Sequence, residues 1–261
     1  MTLKSCVFWV TYKCNFTCPY CREWRKAEKY PKEASVEDWL NFFRMFKDPI
    51  IIDFTGGEPF CYPNFQELVE KMPPQHKLAI TTNLSLMDVD HFPVHKFFSI
   101  TLSFHPSQLH KFTFQEFLAK AIKLKRRVNI PITVNFVAWK PQMEDIPMLK
   151  TIFEGLGFRF HVDPDGYATY TPQEIEYLKQ FITDQRWCKG DQEKEKQWEK
   201  PRLCTAGMEH IHLFPDGTIK RCYWGETLGT IRNPQLYTEP KPCNTKGCAG
   251  CDYDKVRITW L

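Results

Sequence analysis

Apolar residues follow two rhythms through the first two thirds of the chain. Short, nearly uninterrupted runs occur at Cys6 to Tyr12, Ile50 to Phe54, Lys77 to Thr82, Phe97 to Ser103, Ile132 to Ala138 and Phe158 to Val162. Such runs, rich in β-branched and aromatic residues, predict strands buried on both faces. Between them the spacing changes to that of a helix. Val36, Trp39, Leu40, Phe43 and Phe46 share one helical face behind Ser35 and Asp38, a pair placed to close a capping box. Thr113 and Glu116 open a second such helix, which turns Phe114, Phe117, Leu118, Ala121 and Ile122 inward. Further helices are predicted near Asn64 to Met72, over Glu144 to Glu154, and after Thr171-Pro172 with Glu174 at the third helical position. Strands alternating with helices at this spacing predict parallel βα units. The fold class is α/β, read as a partial (β/α)6 TIM barrel.

The rhythm stops near residue 184. Lys189 to Lys200 (KGDQEKEKQWEK) is a charged connector with no apolar period, and from Pro201 cysteine, glycine and proline dominate. One element stands out there, a hairpin of Ile211 to Phe214, a Pro215-Asp216-Gly217 turn, and Thr218 to Tyr223. The expected organisation is a barrel over 1–184, a linker over 185–203, and a small cysteine-rich β-hairpin module over 204–261.

Composition narrows the function. With 261 residues, 43% hydrophobic and 15% aromatic, the chain is globular rather than disordered. No apolar run approaches the ~18–20 residues that span a bilayer, and the first residues lack a secretory pattern. A net charge of +4 is too mild to argue for nucleic acid. Eleven cysteines without an export signal point to metal ligands rather than disulfides. The expectation is a cytoplasmic metalloprotein.

The cysteines fall into two groups. Cys14, Cys18 and Cys21 follow the first strand with gaps of three and two residues. Three thiolates can hold three irons of a cubane and leave the fourth open; structural zinc takes four ligands, and no fourth Cys or His lies nearby in sequence. Thr55-Gly56-Gly57-Glu58-Pro59 follows the second strand. Its glycines allow close backbone approach, and Glu58 with backbone carbonyls can receive an ammonium. Thr82, Asn83, Ser103 and Asn135 put polar groups at or near strand ends, and His105, His161 and Asp163 stand close by. In the second group, Cys204 and Cys222 flank Gly217, and Cys248 and Cys251 form a C-x2-C pair. The hairpin brings Cys204 and Cys222 together. A four-cysteine zinc site and an iron–sulfur cluster both fit that spacing.

Taken together, Cys14-x3-Cys18-x-Tyr20-Cys21 and Gly56-Gly57-Glu58-Pro59, in this order on successive strands, resemble the radical S-adenosylmethionine (SAM) superfamily. The resemblance implies a [4Fe–4S] cluster on Cys14, Cys18 and Cys21, its open iron binding the amino and carboxyl groups of SAM. It implies that Tyr20 packs near the adenine and that Gly56, Gly57 and Glu58 hold the methionine end. Thr82, Asn83, Ser103 and Asn135 would face ribose and carboxylate, with His105 and Asp163 as candidate catalytic residues. Cys204, Gly217, Cys222, Cys248 and Cys251 resemble the SPASM/twitch extension, which implies a second [4Fe–4S] cluster. Only Cys243, Cys248 and Cys251 follow Cys222, so one auxiliary cluster is expected, Cys243 being a spare thiol or a competing ligand. By the same resemblance a flavodoxin- or ferredoxin-like reductant delivers an electron, SAM is cleaved, and the deoxyadenosyl radical takes a hydrogen from substrate. The reading ranked first is oxidation of a small polar metabolite, the auxiliary cluster accepting an electron. A ribosomal peptide maturase ranks lower, because only 13 residues precede Cys14 and leave no room for a fused peptide-binding domain. Rearrangement of a nucleotide or sugar is the third alternative.

Overall fold

The computed structural model describes residues 3–29, 32–182, 200–243 and 256–261. The first half alternates strands and helices. β1 (Ser5–Thr11) leads to α1 (Lys26–Lys29) and α2 (Val36–Arg44), then β2 (Ile51–Gly56), α3 (Phe65–Lys71) and β3 (Lys77–Thr82). β4 (Phe97–Phe104), α4 (Phe114–Arg127), β5 (Ile132–Ala138), α5 (Ile146–Gly155), β6 (Arg159–Pro164) and α6 (Pro172–Leu178) follow. Short strands close the chain: β7 (Arg202–Cys204), β8 (His210–Leu213), β9 (Thr218–Lys220), β10 (Thr227–Thr230), β11 (Asn233–Pro234), β12 (Lys241–Pro242) and β13 (Ile258–Trp260).

The predicted caps form. Ser35, Thr113 and Thr171 each close a reciprocal capping box, with Asp38, Glu116 and Glu174 respectively. The helix predicted from Glu144 starts later, because Lys140 to Asp145 first winds as a tighter 3₁₀ turn. Pro147, which has no N–H to give, then sits in the first turn of α5.

β1 to β6 pair in parallel, in chain order. One register row runs Phe8, Phe54, Ile80, Ile100, Ile132 across five strands, and all five join the main core under the helices. Trp39 of α2 packs 4.2 Å from the Phe8 ring, and Phe117 of α4 lies 5.0 Å from Phe104 and 5.9 Å from Phe153. Burying a side chain of this size contributes ~1.5–3 kcal/mol. Because side chains alternate along a strand, the next rows point away from the helices, and they are polar. Thr81, Thr101 and Thr133 form one row; Ser103, Asn135 and His161 form another.

The C-terminal hairpin extends this sheet. β8 pairs in parallel with β1, Ser5 opposite His210 through Phe8 opposite Leu213, on the side away from β2. The sheet order is β11-β10-β9-β8-β1-β2-β3-β4-β5-β6, open at both edges. Where the sequence reading divides the chain near residue 204, the sheet therefore runs on. The hairpin turn closes at Gly217, whose φ of +86° a side chain disfavours. β9 ends at Lys220, short of the predicted Tyr223, because the chain turns at Cys222, whose carbonyl accepts from Gly225 N at 3.1 Å. β7, β12 and β13 make a separate three-stranded antiparallel sheet. Most of the charged connector, together with Cys188, Cys248 and Cys251, lies outside the described residues. Among the described residues no helix is long and apolar enough to cross a membrane.

Candidate functional site

The first cysteine group sits on the loop leaving β1, at the carboxyl edge where parallel α/β sheets carry their sites. That loop is tied to three others. Asn15 donates to Ser85 Oγ at 2.8 Å and accepts from Asn83 Nδ2 at 3.0 Å, just past β3. Thr17 N donates to Gln108 Oε1 at 3.1 Å, beyond β4. Phe16, Cys18 and Tyr20 form a small buried cluster against Phe112, Val137 and Trp139, the Tyr20 ring lying 5.7 Å from Trp139. Burial pushes the thiol of Cys14 up to about 12 and that of Cys18 up to about 11, and raises Cys21 as well. Left alone, these groups stay protonated at neutral pH; a metal's positive charge is what makes them thiolates.

The glycines of the next loop serve this one. A Cβ on Gly56 would lie 2.3 Å from the Thr11 carbonyl oxygen, and one on Gly57 would lie 2.2 Å from that of Lys13. The close approach that demands glycine is thus to the backbone leading into Cys14. Gly57 N and Glu58 N donate to Thr11 O and Lys13 O. Glu58 is 1% exposed. Its carboxyl group accepts from Thr82 Oγ1 at 2.7 Å, from Asn83 N at 2.7 Å and from Phe60 N at 3.3 Å. Burial outweighs these bonds and raises its pKa to about 7. Thr82 and Asn83 are therefore engaged with Glu58 and Asn15, stapling the ends of β2 and β3 together.

Of the two candidate catalytic residues, His105 lies behind the cysteine loop. Its Nδ1 shares a 2.8 Å hydrogen bond with Tyr20 Oη, and its ring meets Phe16 edge-on at 6.0 Å. Burial lowers its pKa to about 4, so the imidazole is neutral and buttresses Tyr20. Asp163 stays on the polar face. Asn135 Nδ2 donates to Asp163 Oδ2 at 2.8 Å, and His161 Nε2 lies 3.3 Å from Asp163 Oδ1. Ser103 stands beside Asn135 in register.

The second cysteine group is assembled differently. Cys204, Cys222 and Cys243 gather around Ala206, Val256 and Ile258, so Cys243, undecided from sequence, stands with the other two. Arg221, 5% exposed, holds them in place. It donates to the carbonyls of Pro242 and Lys241, each at 2.7 Å, and to those of Ala206 and Cys204 at 3.1 and 3.2 Å. Burial raises the thiols of Cys204 and Cys222, with Arg221 acting in the opposite direction. Between the two groups, Tyr223 Oη donates to Glu23 and accepts from Lys26 Nζ at 2.6 Å.

Comparison with known proteins decides the family. The profile of the radical SAM superfamily matches residues 10–142, from the end of β1 into the turn after β5. The chain belongs to the radical SAM superfamily. Among its relatives, the PqqA peptide cyclase of Granulibacter bethesdensis is 25% identical over 87% of this chain and 69% of its own length. That of Gluconobacter oxydans is 22% identical over 87% and 72%. Among solved structures, Streptococcus suis SuiB bound to precursor peptide SuiA superposes with a TM-score of 0.61 at 17% identity. The match covers 91% of this chain and 66% of SuiB. Native anSMEcpe with bound AdoMet and Cp18Cys peptide gives 0.63 at 15% identity, covering 88% of this chain and 78% of its own. At these identities the structural likeness shows the fold.

Membership of the radical SAM superfamily implies a [4Fe–4S] cluster and SAM, and the residues present fit both. Three desolvated thiols share one loop. Among the described residues no three His, Cys, Asp or Glu side chains converge on a single ion, and thiolates that each take a different iron need no such convergence. On the polar face Asn135 Oδ1 is buried without a hydrogen-bond partner, an acceptor placed for a ligand that brings its own donor. Sequence reasoning passed over Asn15, Ser85, Gln108 and Trp139. Each acts only through the loop it steadies, so none carries a motif. Cys61 was noted for its place behind the glycines. It takes a backbone hydrogen bond from Asn15 and adds to the rise of Cys14.

Proposed function

We propose that this chain is a peptide-modifying radical SAM enzyme with a second iron–sulfur centre in its C-terminal part. The observation that carries the reading is the pair of PqqA peptide cyclases, alike over 87% of the chain. They favour the peptide alternative over the small-metabolite oxidation that ranked first. That ranking leaned on the short segment before Cys14, and a separate partner protein can supply peptide binding.

Cys14, Cys18 and Cys21 would hold the first cluster. When bound, cluster and SAM supply reductive cleavage to a deoxyadenosyl radical, the electron coming from a flavodoxin- or ferredoxin-like donor. The chain's own residues position and exclude. Phe16, Tyr20 and Trp139 cover the loop and keep water from it. Glu58 fixes the ends of β2 and β3, and Asn135 offers an acceptor on the open polar face. Cys204, Cys222 and Cys243 would hold the second centre, with Cys248 or Cys251 completing it. An iron–sulfur cluster held there would supply one-electron redox chemistry, which zinc lacks.

The test uses anaerobically reconstituted protein, SAM, dithionite and a short peptide encoded beside the gene. The expected result is peptide-dependent deoxyadenosine formation and a product lacking two hydrogens. Deoxyadenosine formation stimulated by a small alcohol and indifferent to peptide would restore the metabolite reading.

A further inference from the structure

A cavity of about 520 Å³ opens on the hairpin side of the sheet, and it is lined by cations and aromatic rings. Arg22 and Lys26, just past Cys21, form one wall; Tyr223 and Trp224, just past Cys222, form another. Phe214 and Lys220 come from the hairpin, and Tyr167 from the segment after β6. A group held here therefore lies between the two cysteine groups.

The charges are not balanced. Lys26 is paired with Glu23 at 2.8 Å. Arg22 lies 4.1 Å over the Tyr167 ring and Lys220 lies 5.3 Å over Phe214, and among the described residues neither meets a carboxylate. Asp216 is the lining carboxylate, and its Oδ1 accepts from Thr218 N within its own turn. Arg22, Lys26 and Lys220 thus face Asp216 and the Glu23 that pairs with Lys26, an excess of positive charge that a concave, partly desolvated site focuses. A guanidinium already seated over a ring can offer a carboxylate two parallel N–H groups and has less freedom left to lose.

We propose that this cavity binds a carboxylate of the substrate peptide, Arg22 and Lys220 taking the charge while Tyr167, Phe214 and Trp224 pack the neighbouring planar groups. The inference rests on the peptide reading for what carries the carboxylate. An acidic side chain and a chain terminus share that chemistry.

Trp224, 57% exposed, supplies the readout, with Trp224→Phe as the blank for its fluorescence. The probes are acetyl-Tyr-Glu-amide, acetyl-Tyr-Gln-amide, acetyl-Tyr-Gln with a free carboxylate, and succinate. The charged dipeptides are expected to bind about tenfold more tightly than the amide of the glutamine peptide. Added salt should weaken that preference, and Arg22→Gln with Lys220→Gln should abolish it while leaving iron content and circular dichroism unchanged. Whichever charged dipeptide binds more tightly identifies a side chain or a terminus as the source. Equal binding of charged and uncharged dipeptides, or a preference that survives the double variant, overturns the site. Succinate binding as tightly as the dipeptides overturns its assignment to a peptide. Peptide-dependent deoxyadenosine formation is unaffected by failure of the cavity and disappears only if the peptide reading itself fails.

Discussion

The two cysteine groups are held by opposite means. Cys14, Cys18 and Cys21 come from one eight-residue stretch, so their spacing is set locally, and the loop is then hydrogen-bonded past the ends of β3 and β4 and packed against the end of β5. Beneath it lies the main core. Cys204, Cys222 and Cys243 come from separate turns and strands, and the strands around them are two to four residues long. With so little apolar area nearby, one buried guanidinium bonded to four carbonyls does much of the assembly. A site set by local spacing on a packed sheet stays formed when metal is absent. A site gathered from distant turns depends on its polar clamp and on the metal itself.

Single substitutions test this contrast. Cys14→Ala, Cys18→Ala or Cys21→Ala should each abolish deoxyadenosine formation, measured by chromatography, while leaving metal at the second group. An open-iron site has no spare protein ligand. Cys243→Ala should remove metal from the second group and suppress peptide product, yet leave SAM cleavage in place. Unchanged metal content in that variant would return Cys243 to the role of spare thiol.

Arg221→Ala leaves several buried carbonyls unpaired, at ~1–3 kcal/mol for each that finds no water. Limited proteolysis should then cut first in the C-terminal part, the parallel β1–β6 portion staying resistant. Glu58 gives a smaller effect that depends on pH. Burial raises its pKa from 4.5 to about 7, so in that interval the folded protein keeps a proton that the unfolded chain has lost. Its contribution to stability is complete below pH 4.5 and is lost as pH rises through 7, on the order of 3 kcal/mol. Buried His105, held at about 4, acts in the opposite direction over nearly the same range, so the expected signal is a difference: the stability of the cofactor-free parent relative to Glu58→Gln, read from denaturant midpoints, should fall from pH 4.5 to 7. Tyr20→Phe should have the smallest effect. It removes the hydroxyl's hydrogen bonds to His105, Cys18 and Ser107, ~1 kcal/mol net for a bond of this kind, and should leave deoxyadenosine formation within a few-fold of the parent.

Local features were legible in the chain. The capping boxes at Ser35, Thr113 and Thr171 and the strands Lys77–Thr82 and Ile132–Ala138 lie where spacing predicts them, because each is decided by neighbours a few residues apart. The pairing of β8 with β1 was not legible, since a parallel contact across some two hundred residues leaves no periodic trace. The same holds for Glu58, whose partners Thr82 and Asn83 stand 24 and 25 residues away. Gly57 was recognised, but a glycine does not say which backbone approaches it. Cys243 needed the fold, because only the β7–β12 pairing carries it to Cys204.

The most direct test is the metal inventory of anaerobically reconstituted protein, with iron and zinc measured together. About eight irons per chain are expected, two cubanes at four each. The count should fall to about four when Cys14, Cys18 and Cys21 are replaced together by alanine. Zinc in the second group, or a parent holding only about four irons that all vanish with those three cysteines, would contradict the two-cluster account.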